Sequence, residues 1–349
     1  MFPRPKTDVG STQKKRTKKN QSTPRTSPAE TAYLIGPGCM KVRGGLPFWK
    51  PVQGTATKLH PEYLKRIVVF GLADFSGKVF SLLWRRKIQV VFLSPHGNDL
   101  LAHLHPAGDR PALARLQHLA AADSRFSLNI SKSLIAEKIN ATRDSLRYYQ
   151  QQSAISNAGN TLKQLDKLKA QSQSAKSVAA LLGIEGSAAR LWRKQFGQLM
   201  PDGWTFTKRK SRPATDPVNA ILSLGYMLLV SRCQTMLAAG DLDPYVGFLH
   251  QIRPGRPSLA CDLMEPLRVE FVDRWVLRLF TQKTLATSSF VEGRFWQSKQ
   301  AVRLKPAEFK KVVGSFEQEF IRESKRSSWR QQTERRIQSW SRQISQYSR

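Results

Sequence analysis

The chain has 349 residues and a formal net charge of +32, from 57 lysines and arginines against 25 aspartates and glutamates. So large a positive excess argues against acidic proteins or metabolites as the main partner, and it indicates a polyanion such as nucleic acid or an anionic membrane surface. Hydrophobic residues make up 40% of the chain, which excludes disorder throughout and predicts one large or two ordinary cores.

The cysteines and the apolar segments bear on the compartment. Cys39, Cys233 and Cys261 are odd in number and far apart, so they predict neither a disulfide framework nor a zinc site, and we expect a cytoplasmic chain. The basic N-terminus lacks the apolar segment of a signal peptide. The longest apolar stretch, residues 220–230, is about half as long as a membrane span. We therefore expect no membrane partner, and nucleic acid becomes the leading candidate.

Residues 1–30 contain eight basic and two acidic side chains and very few apolar ones, which predicts a disordered basic arm. The run Lys14–Lys19 within the arm fits a nonspecific phosphate-binding tail better than a nuclear address. Most of the positive charge lies outside these residues, so the ordered part of the chain must itself be basic.

Residues 31–110 are rich in glycine and proline and contain short β-type runs. The segments 67–70 and 88–93 predict strands of the buried type, because they are continuous runs of mostly branched and aromatic residues. Residues 76–86 predict a short helix between them, and turns at 71 and 95–97 end the strands. This region predicts a small β-rich domain.

From residue 111 onward strand signals nearly vanish and leucine, alanine, glutamine and lysine dominate, which predicts a larger all-α domain over 111–349 and an α+β chain. Asp216 and Pro217 supply an N-cap and a first-turn proline, and Gly240 a stop, for a central helix that is apolar almost all round. The predicted helices are 111–122, 128–152, 161–170, 174–182, 185–199, 217–239, 263–280 and 306 to the end.

Carboxylates are the informative minority in so basic a chain. If a helix continues through residue 185, Glu185 shares a face with the apolar Ala188, Trp192 and Phe196, where an unpaired charge would be costly. A ligand role is one interpretation. The other places Glu185 in the first turn of a helix, favoured by the helix dipole and paired with a lysine or arginine. Spacing leaves both open.

Asp262 and Glu265 are three residues apart, so one helical turn can project them to the same side. The pattern Asp-x-x-Glu is equally typical of a helix capping box. His250 follows an apolar run, where a single histidine is more often a hydrogen-bonded residue than a ligand. Together with Glu185, however, one imidazole and two or three carboxylates suit Mg²⁺ or Mn²⁺. On a DNA-binding surface such an ion predicts phosphoryl transfer.

Several long segments carry motifs that can be compared with known families. They are IVVFG followed by VVFLSPHG, GIEGSAARLWRKQF, RPATDPVNAILSLGYMLL and GDLDPYVGFLHQIRPGRPSLACDLMEPLR. In this order and spacing, from about residue 32 to 320, the sequence resembles the CRISPR-associated spacer-acquisition integrases. The resemblance implies an N-terminal β domain and a C-terminal all-α catalytic domain. It also implies metal-dependent strand transfer, in which the 3′-hydroxyl of a short DNA fragment attacks a phosphodiester at the edge of the CRISPR repeat, and cleavage of branched DNA.

The resemblance implies a set of site residues as well. The family's metal ligands are a glutamate, a histidine and an acidic residue, which correspond to Glu185 in GIEG, His250 in GFLH and Glu265 in DLMEPLR. Asp262 corresponds to a further acidic position close to the site. These four are the expected catalytic residues, and Mg²⁺ or Mn²⁺ is the expected cofactor. The nucleophile comes from the substrate, so no catalytic serine or cysteine is required.

Basic residues near these acids are expected to hold the DNA backbone, although each of them fits a solvated loop charge about as well. The expected DNA-binding residues are Lys208, Arg209, Lys210, Arg212, Arg253 and Arg256, and the resemblance adds Arg268, which corresponds to a basic position of the family just after the acids. The resemblance further implies a prokaryotic, cytoplasmic homodimer. Two such dimers would assemble with a small ferredoxin-like partner into a heterohexamer that engages a double-stranded DNA fragment and CRISPR repeat DNA.

Two other functions stay open from sequence. A casposon-type transposase has the same catalytic domain with an added C-terminal helical module, and the basic tail after about residue 320 is short for such a module. The second is a non-enzymatic nucleic-acid-binding protein in which the acidic residues only cap helices.

Overall fold

The structure is a computed structural model that describes residues 30–106, 108, 110–155, 158–211, 213–294, 300–322 and 327–347. Apart from Glu30, the predicted basic arm lies outside these residues. The α+β class is confirmed, since a β-rich N-terminal part precedes a mostly helical part.

Two four-stranded sheets and one helix form the N-terminal part. The first sheet has the order β1-β5-β7-β8, with the first three strands parallel and β8 antiparallel at the edge. The second sheet has the order β4-β3-β2-β6. The elements are β1 Thr31–Ile35, β2 Gly38–Arg43, β3 Leu46–Pro51, β4 Thr57–Lys58, β5 Arg66–Phe70, β6 Ala73–Phe75, α1 Gly77–Arg85, β7 Gln89–Leu93 and β8 Leu100–Leu104.

Strand β5 is buried along its whole length because its side chains alternate between two cores. Ile67 and Val69 belong to the core formed with the second sheet and α1, whereas Val68 and Phe70 belong to the core of the helical part. The Phe70 ring meets the Phe309 ring edge-on, with centroids 5.0 Å apart. The first sheet is therefore the layer through which the two parts of the chain pack together.

The helical part contains the elements that carry the predicted site. They are α2 Pro111–Ala122, α3 Ser124–Gln151, α4 Gly159–Ser174, α5 Val178–Gln198, α6 Pro217–Ala239, α7 Ser258–Met264, a π-helical segment Arg268–Asp273, α8 Arg274–Thr281, a 3-10 turn Thr287–Ser289, β9 Phe290–Arg294, β10 Gln300–Leu304, α9 Pro306–Ile321 and α10 Trp329–Ser345. Helices α2 and α6 begin and end at the predicted residues. Asp216 is the N-cap of α6, as predicted, because its Oδ1 accepts the Asn219 N–H at 2.8 Å.

Other predicted helix boundaries are wrong. Most of the two segments 174–182 and 185–199 forms the single helix α5, which begins only at Val178, because a glycine such as Gly183 costs a packed helix only about 1 kcal/mol. The predicted helix 263–280 is interrupted near Pro266, whose nitrogen cannot donate a helical hydrogen bond. The segment from 306 forms two helices, and the hairpin of β9 and β10, whose short strands gave no clear signal, was not predicted.

Helix α6 is the central element of the helical part, and it packs against α7, α8, α10 and the π-helical segment. At 23 residues it is longer than the apolar stretch 220–230 and passes the length and composition criteria for a membrane-crossing helix. However, 72% of its apolar window is buried inside the protein, which is typical of a core helix. The site lies beside α6, where α3, α5 and the π-helical segment meet.

Candidate active site

Three helical segments bring one lysine and two glutamates together. Lys138 lies on the buried face of α3, and its Nζ donates to Glu185 Oε1 on α5 and to Glu265 Oε2 at the end of α7. The side chains of Lys138 and Glu265 are 5% and 3% exposed, against 23% for Glu185. Two of the predicted site residues therefore converge on one buried positive charge, and the cluster is accessible from the Glu185 side.

Glu265 is held from its other oxygen by Arg268, whose Nη2 lies 2.9 Å from Glu265 Oε1. Burial alone would raise the pKa of Glu265, but the positive charges of Arg268 and Lys138 lower that pKa to about 2. Burial would likewise lower the pKa of Arg268, but the carboxylate of Glu265 raises it. Glu265 is therefore an ionised ligand-type carboxylate at neutral pH.

His250 and Asp262 form a hydrogen-bonded pair. Asp262 is fully buried, and its Oδ1 lies 2.6 Å from His250 Nδ1. The same carboxylate accepts the backbone N–H groups of Phe248, Leu249 and His250 at 2.7, 3.0 and 3.0 Å. Burial raises the pKa of Asp262, while these hydrogen bonds oppose the rise. Because Asp262 is surrounded by donors, we assign the proton of His250 to Nδ1, which leaves the Nε2 lone pair for a ligand.

The loop that carries His250 approaches Asp262 closely because residue 247 is glycine. A Cβ at Gly247 would lie 2.8 Å from the His250 carbonyl oxygen and 2.9 Å from Asp262 Oδ2, closer than real Cβ atoms approach such groups. Any side chain at this position would push the loop away from the carboxylate. Gly247 therefore allows the backbone to supply three hydrogen bonds to Asp262 and thereby fixes the imidazole.

The positions of the acids decide between the interpretations that spacing left open. Asp262 lies inside α7 and Glu265 at its end, so the capping-box interpretation of this pair is wrong. Glu185 lies in the middle of α5 rather than in its first turn. Its partner is nevertheless a lysine, Lys138, as the first-turn interpretation expected.

A cavity of about 260 Å³ opens beside Glu185. Its wall includes a second buried carboxylate, Asp273, which accepts hydrogen bonds from Trp192 Nε1 at 2.6 Å and from the Tyr226 hydroxyl. Burial raises the pKa of Asp273 to about 6, although both hydrogen bonds lower it. The basic residues that line the cavity are Lys138, Arg193, Arg209 and Arg268. The positive charges and hydrogen-bond donors of this cavity suit the binding of a phosphate group, which would then lie close to the carboxylates of the site.

Five of the seven predicted DNA-binding residues fall into two groups. Lys208, Lys210 and Arg253 are exposed, as a contact to the DNA backbone requires. Arg209 and Arg268 instead line the cavity, and both guanidinium groups lie over the ring of Tyr226, 5.4 and 5.3 Å from its centroid.

The remaining members of this set are Arg256 and Arg212. Arg256 is half-buried and folds back on its own loop, with Nε 3.4 Å from Ser258 Oγ and Nη2 donating to the carbonyl of Gln251. Arg212 lies outside the described residues.

The donor set fits a hard divalent cation, although the side chains are not arranged as a closed metal site. No group of three or more His, Cys, Asp or Glu side chains within the described ranges stands as a metal-holding cluster. Lys138 Nζ lies between Glu185 and Glu265 instead, so the two carboxylates already share one cation. Carboxylate oxygens and an imidazole nitrogen are ligands that Mg²⁺ and Mn²⁺ accept.

Sequence reasoning missed four residues of this site: Lys138, Trp192, Tyr226 and Asp273. A signal for Lys138 existed, because it recurs at helical spacing with the apolar Leu134, Ile135 and Ile139, where a lone lysine needs a buried partner. Asp273 gave no comparable signal, since its partners lie on α5 and α6, far away in the sequence.

A basic chain of this fold, with an acidic cluster beside a basic cavity, defines a DNA-processing protein of the nuclease and integrase class. The family described as "CRISPR associated protein Cas1" matches residues 33–318. The chain therefore belongs to the Cas1 family, whose members act as endonucleases and integrases in CRISPR adaptation.

Two relatives in sequence support membership of the Cas1 family. A CRISPR-associated endonuclease Cas1 of Thermodesulfovibrio yellowstonii is 34% identical over 273 residues, which cover 76% of this chain and 83% of that protein. A CRISPR-associated endonuclease Cas1 of Thermus thermophilus is 32% identical over 228 residues, which cover 65% of this chain and 66% of that protein.

Solved structures agree on the fold. A Cas1 protein from Thermotoga maritima superposes with a TM-score of 0.79 at 21% identity, over 91% of this chain and 97% of its own. A casposase bound to its integration product gives 0.80 at 23% identity, over 90% of both chains. A chain of a Cas6-RT-Cas1–Cas2 complex gives 0.79 at 23% identity, over 90% of this chain and 35% of its own.

Proposed function

We propose that this protein is a divalent-metal-dependent DNA integrase that joins the 3′-hydroxyl ends of short DNA fragments to the CRISPR repeat, and that also cleaves branched DNA. One observation carries the proposal: Glu185 and Glu265, from distant parts of the chain, converge on one buried cation. The ring of His250 is fixed on Asp262, which lies three residues before Glu265 in the chain.

We assign Glu185, Glu265 and His250 Nε2 as the ligands of Mg²⁺ or Mn²⁺, and Asp262 as the group that orients His250. When bound, such an ion neutralises charge that develops on a phosphate oxygen. The substrate's 3′-hydroxyl oxygen loses its proton and forms a new bond to phosphorus, while the bond between phosphorus and the 3′-oxygen of the cut strand breaks and that oxygen takes up a proton to become a free 3′-hydroxyl. Transesterification of this kind needs no side-chain nucleophile.

The basic residues of the cavity bind and orient the reacting phosphodiester in this proposal. Arg268 is held by Glu265 and by the face of Tyr226, so its guanidinium is fixed before substrate arrives. Exposed Lys208, Lys210 and Arg253 hold the DNA backbone farther from the reacting bond. Orientation by fixed charges favours the reaction because the bound phosphate needs no rearrangement of the protein around it.

The proposed context is the cytoplasm of a prokaryotic cell. There the protein would act as a homodimer on double-stranded DNA fragments and CRISPR repeat DNA. It would assemble with a small ferredoxin-like partner into a heterohexamer. Support for a protein partner comes from the similar chain that is part of a Cas6-RT-Cas1–Cas2 complex.

A casposon-type transposase is the second candidate, and the similarity to a casposase with a TM-score of 0.80 is the observation that favours it. Both candidates use the same site. They differ in substrate, because the transposase would act on longer terminal repeats without the small partner. Parallel integration assays with short fragments and with terminal repeats distinguish the two.

The decisive test of the site is His250→Ala, with His60→Ala as the matched control because His60 is exposed. We expect His250→Ala to abolish integration of a labelled fragment into a supercoiled target, a loss of at least about 100-fold, because a ligand and its oriented lone pair are lost. DNA binding in a gel-shift assay at fixed salt should stay largely unchanged.

Unchanged integration by His250→Ala would show that the site is misassigned. A wild-type protein that cleaves no branched DNA with Mg²⁺ or Mn²⁺ would instead favour the non-enzymatic alternative. His60→Ala should behave as the wild type in both assays.

A further inference from the structure

Helix α10 lies beyond residues 33–318, the part of the chain that matches the family. Its buried residues recur at helical spacing and face the core: Thr333, Ile337, Trp340 and Ile344. The contact with the end of α6 is close, since a Cβ at Gly240 would lie 2.9 Å from Ile337 Cγ2. Helix α10 is therefore a packed element of the core and belongs to the body that carries the site.

Trp340 contacts the segment that carries His250. The rings of Trp340 and Phe248 meet at 74°, with centroids 6.3 Å apart. Phe248 also contacts Phe126 of α3, with centroids 5.6 Å apart. The Phe248 side chain is thus held by two different helices. Aromatic pairs of this kind add about 0.5–1.5 kcal/mol each beyond the apolar area that they bury.

Phe248 links this aromatic contact to the site through its backbone. Its N–H donates to Asp262 Oδ2 at 2.7 Å, and His250, two residues later, donates to the same carboxylate from both its backbone and its ring. A displacement of the Phe248 ring would therefore move the backbone on which the imidazole of His250 depends.

Two more contacts of α10 reach the elements of the site. Arg336 donates to Glu137, the residue before Lys138. Trp329 stacks on Phe271 of the π-helical segment, with centroids 5.8 Å apart and planes at 24°. Helix α10 thus touches the segments that carry Lys138, His250 and Asp273.

We propose that Trp340 is a positioning residue for His250 and acts through Phe248. The inference rests on the proposed function, because it assigns a role toward a residue of that site. Trp340 itself contacts Phe248 and is 5% exposed, so its role is to fix the geometry of His250 rather than to touch substrate.

Three variants of the full chain test this: Trp340→Ala, Trp340→Phe, which keeps an aromatic ring, and Ile344→Ala, which removes another buried side chain one turn later on α10. Each is measured for melting temperature, for DNA affinity and for the strand-transfer rate at saturating DNA, well below the melting temperature. Histidine ring signals are recorded by NMR after selective ¹⁵N labelling of the six histidines, and the His250 signal is identified by its loss in His250→Ala.

We expect Trp340→Ala to slow strand transfer by about 10- to 100-fold, because a displacement of about 1 Å has effects of this size. Its DNA affinity should stay within about twofold, and Trp340→Phe should retain the rate within about threefold. Ile344→Ala should lower the melting temperature without changing the rate. The His250 ring signal should shift in Trp340→Ala and keep its position in Ile344→Ala.

An equal loss of rate in Trp340→Ala and Ile344→Ala, or a His250 signal that is unchanged in Trp340→Ala, would overturn the proposal. The ring signal is measured without DNA or metal, so it reports on positioning independently of activity. If the wild type performs no metal-dependent strand transfer, the proposed function fails, and the NMR comparison still decides whether Trp340 positions His250.

Discussion

Two buried clusters in this protein each contain positively and negatively charged side chains. The two clusters differ in their residues and in their access to solvent. The site cluster consists of Lys138, Glu185, Glu265 and Arg268 and borders the cavity beside Glu185. The junction cluster consists of Tyr33, Arg66, Arg232 and Glu317 and lies where the first sheet packs against α6 and α9. None of the four junction residues is among the described residues that line that cavity.

The junction cluster holds the two parts of the chain together. Glu317 Oε2 accepts from the Tyr33 hydroxyl at 2.7 Å and from Arg232, and Arg66 Nη2 donates to Ser231 Oγ at 2.6 Å. Burial, reinforced by the like charge of Arg232, lowers the pKa of Arg66 to about 10. Two arginines thus surround a single carboxylate inside the core.

The difference between the two clusters shows which buried charged groups indicate an active site. In the junction cluster positive charge is in excess around one carboxylate, so it offers nothing to a cation. In the site cluster two carboxylates share Lys138, a histidine stands beside them, and the Glu185 side is open. Perturbed ionisable groups occur in structural networks as well as in active sites, so access and ligand type decide between the two roles.

Among these variants, Lys138→Met should have the largest effect on stability and activity, because it removes the ammonium group that Glu185 and Glu265 share. We expect the free energy of unfolding to fall by about 3–5 kcal/mol, the usual cost of breaking a buried pair from one side. Strand transfer should slow by about 100-fold as the carboxylates move apart. Urea denaturation and the integration assay measure the two effects.

Adding Mn²⁺ to this experiment tests whether the position of the ammonium group is also the metal site. If the metal takes the place of the ammonium between the carboxylates, Mn²⁺ should stabilise Lys138→Met more than it stabilises the wild type. The control is Lys163→Met, on the exposed face of α4, which should leave stability and rate near the wild-type values. An equal response of wild type and Lys138→Met to Mn²⁺ would contradict the assignment of this position as the cation site.

Glu317→Gln tests the junction cluster in the same way. It leaves Arg66 and Arg232 buried without a carboxylate, so we expect a loss of about 3 kcal/mol in the free energy of unfolding. The strand-transfer rate per folded molecule, measured well below the melting temperature, should be unchanged. A reduced rate under those conditions would mean that the junction cluster also shapes the site.

The effect of Asp273→Asn on stability should depend on pH. The pKa of Asp273 is raised by burial from its ordinary 3.8 to about 6, so folding favours the protonated form. Its contribution to stability is complete below pH 3.8 and is lost as the pH rises through 6, a change of up to about 3 kcal/mol. The difference in unfolding free energy between wild type and variant should shift across this window, and a pH-independent difference would refute this expectation.

Much of the fold could be predicted from local patterns. Helices α2 and α6 begin and end where the sequence predicts, because caps, a first-turn proline and apolar periodicity act within a few residues. The continuous helix α5 could not be predicted, since its packing against α3 and α4 outweighs the helix-breaking tendency of its glycines. The short hairpin of β9 and β10 likewise depends on its neighbours.

The sequence by itself determined the class of partner, the α+β order of the chain and four acidic or imidazole residues suited to a divalent ion, because charge, periodicity and motif are local properties. Only the tertiary structure decided how those residues are used. It paired Asp262 with His250 and placed Lys138 between Glu185 and Glu265. It also brought Trp340 against Phe248. These contacts join residues up to 127 positions apart, and only packing selects such pairs.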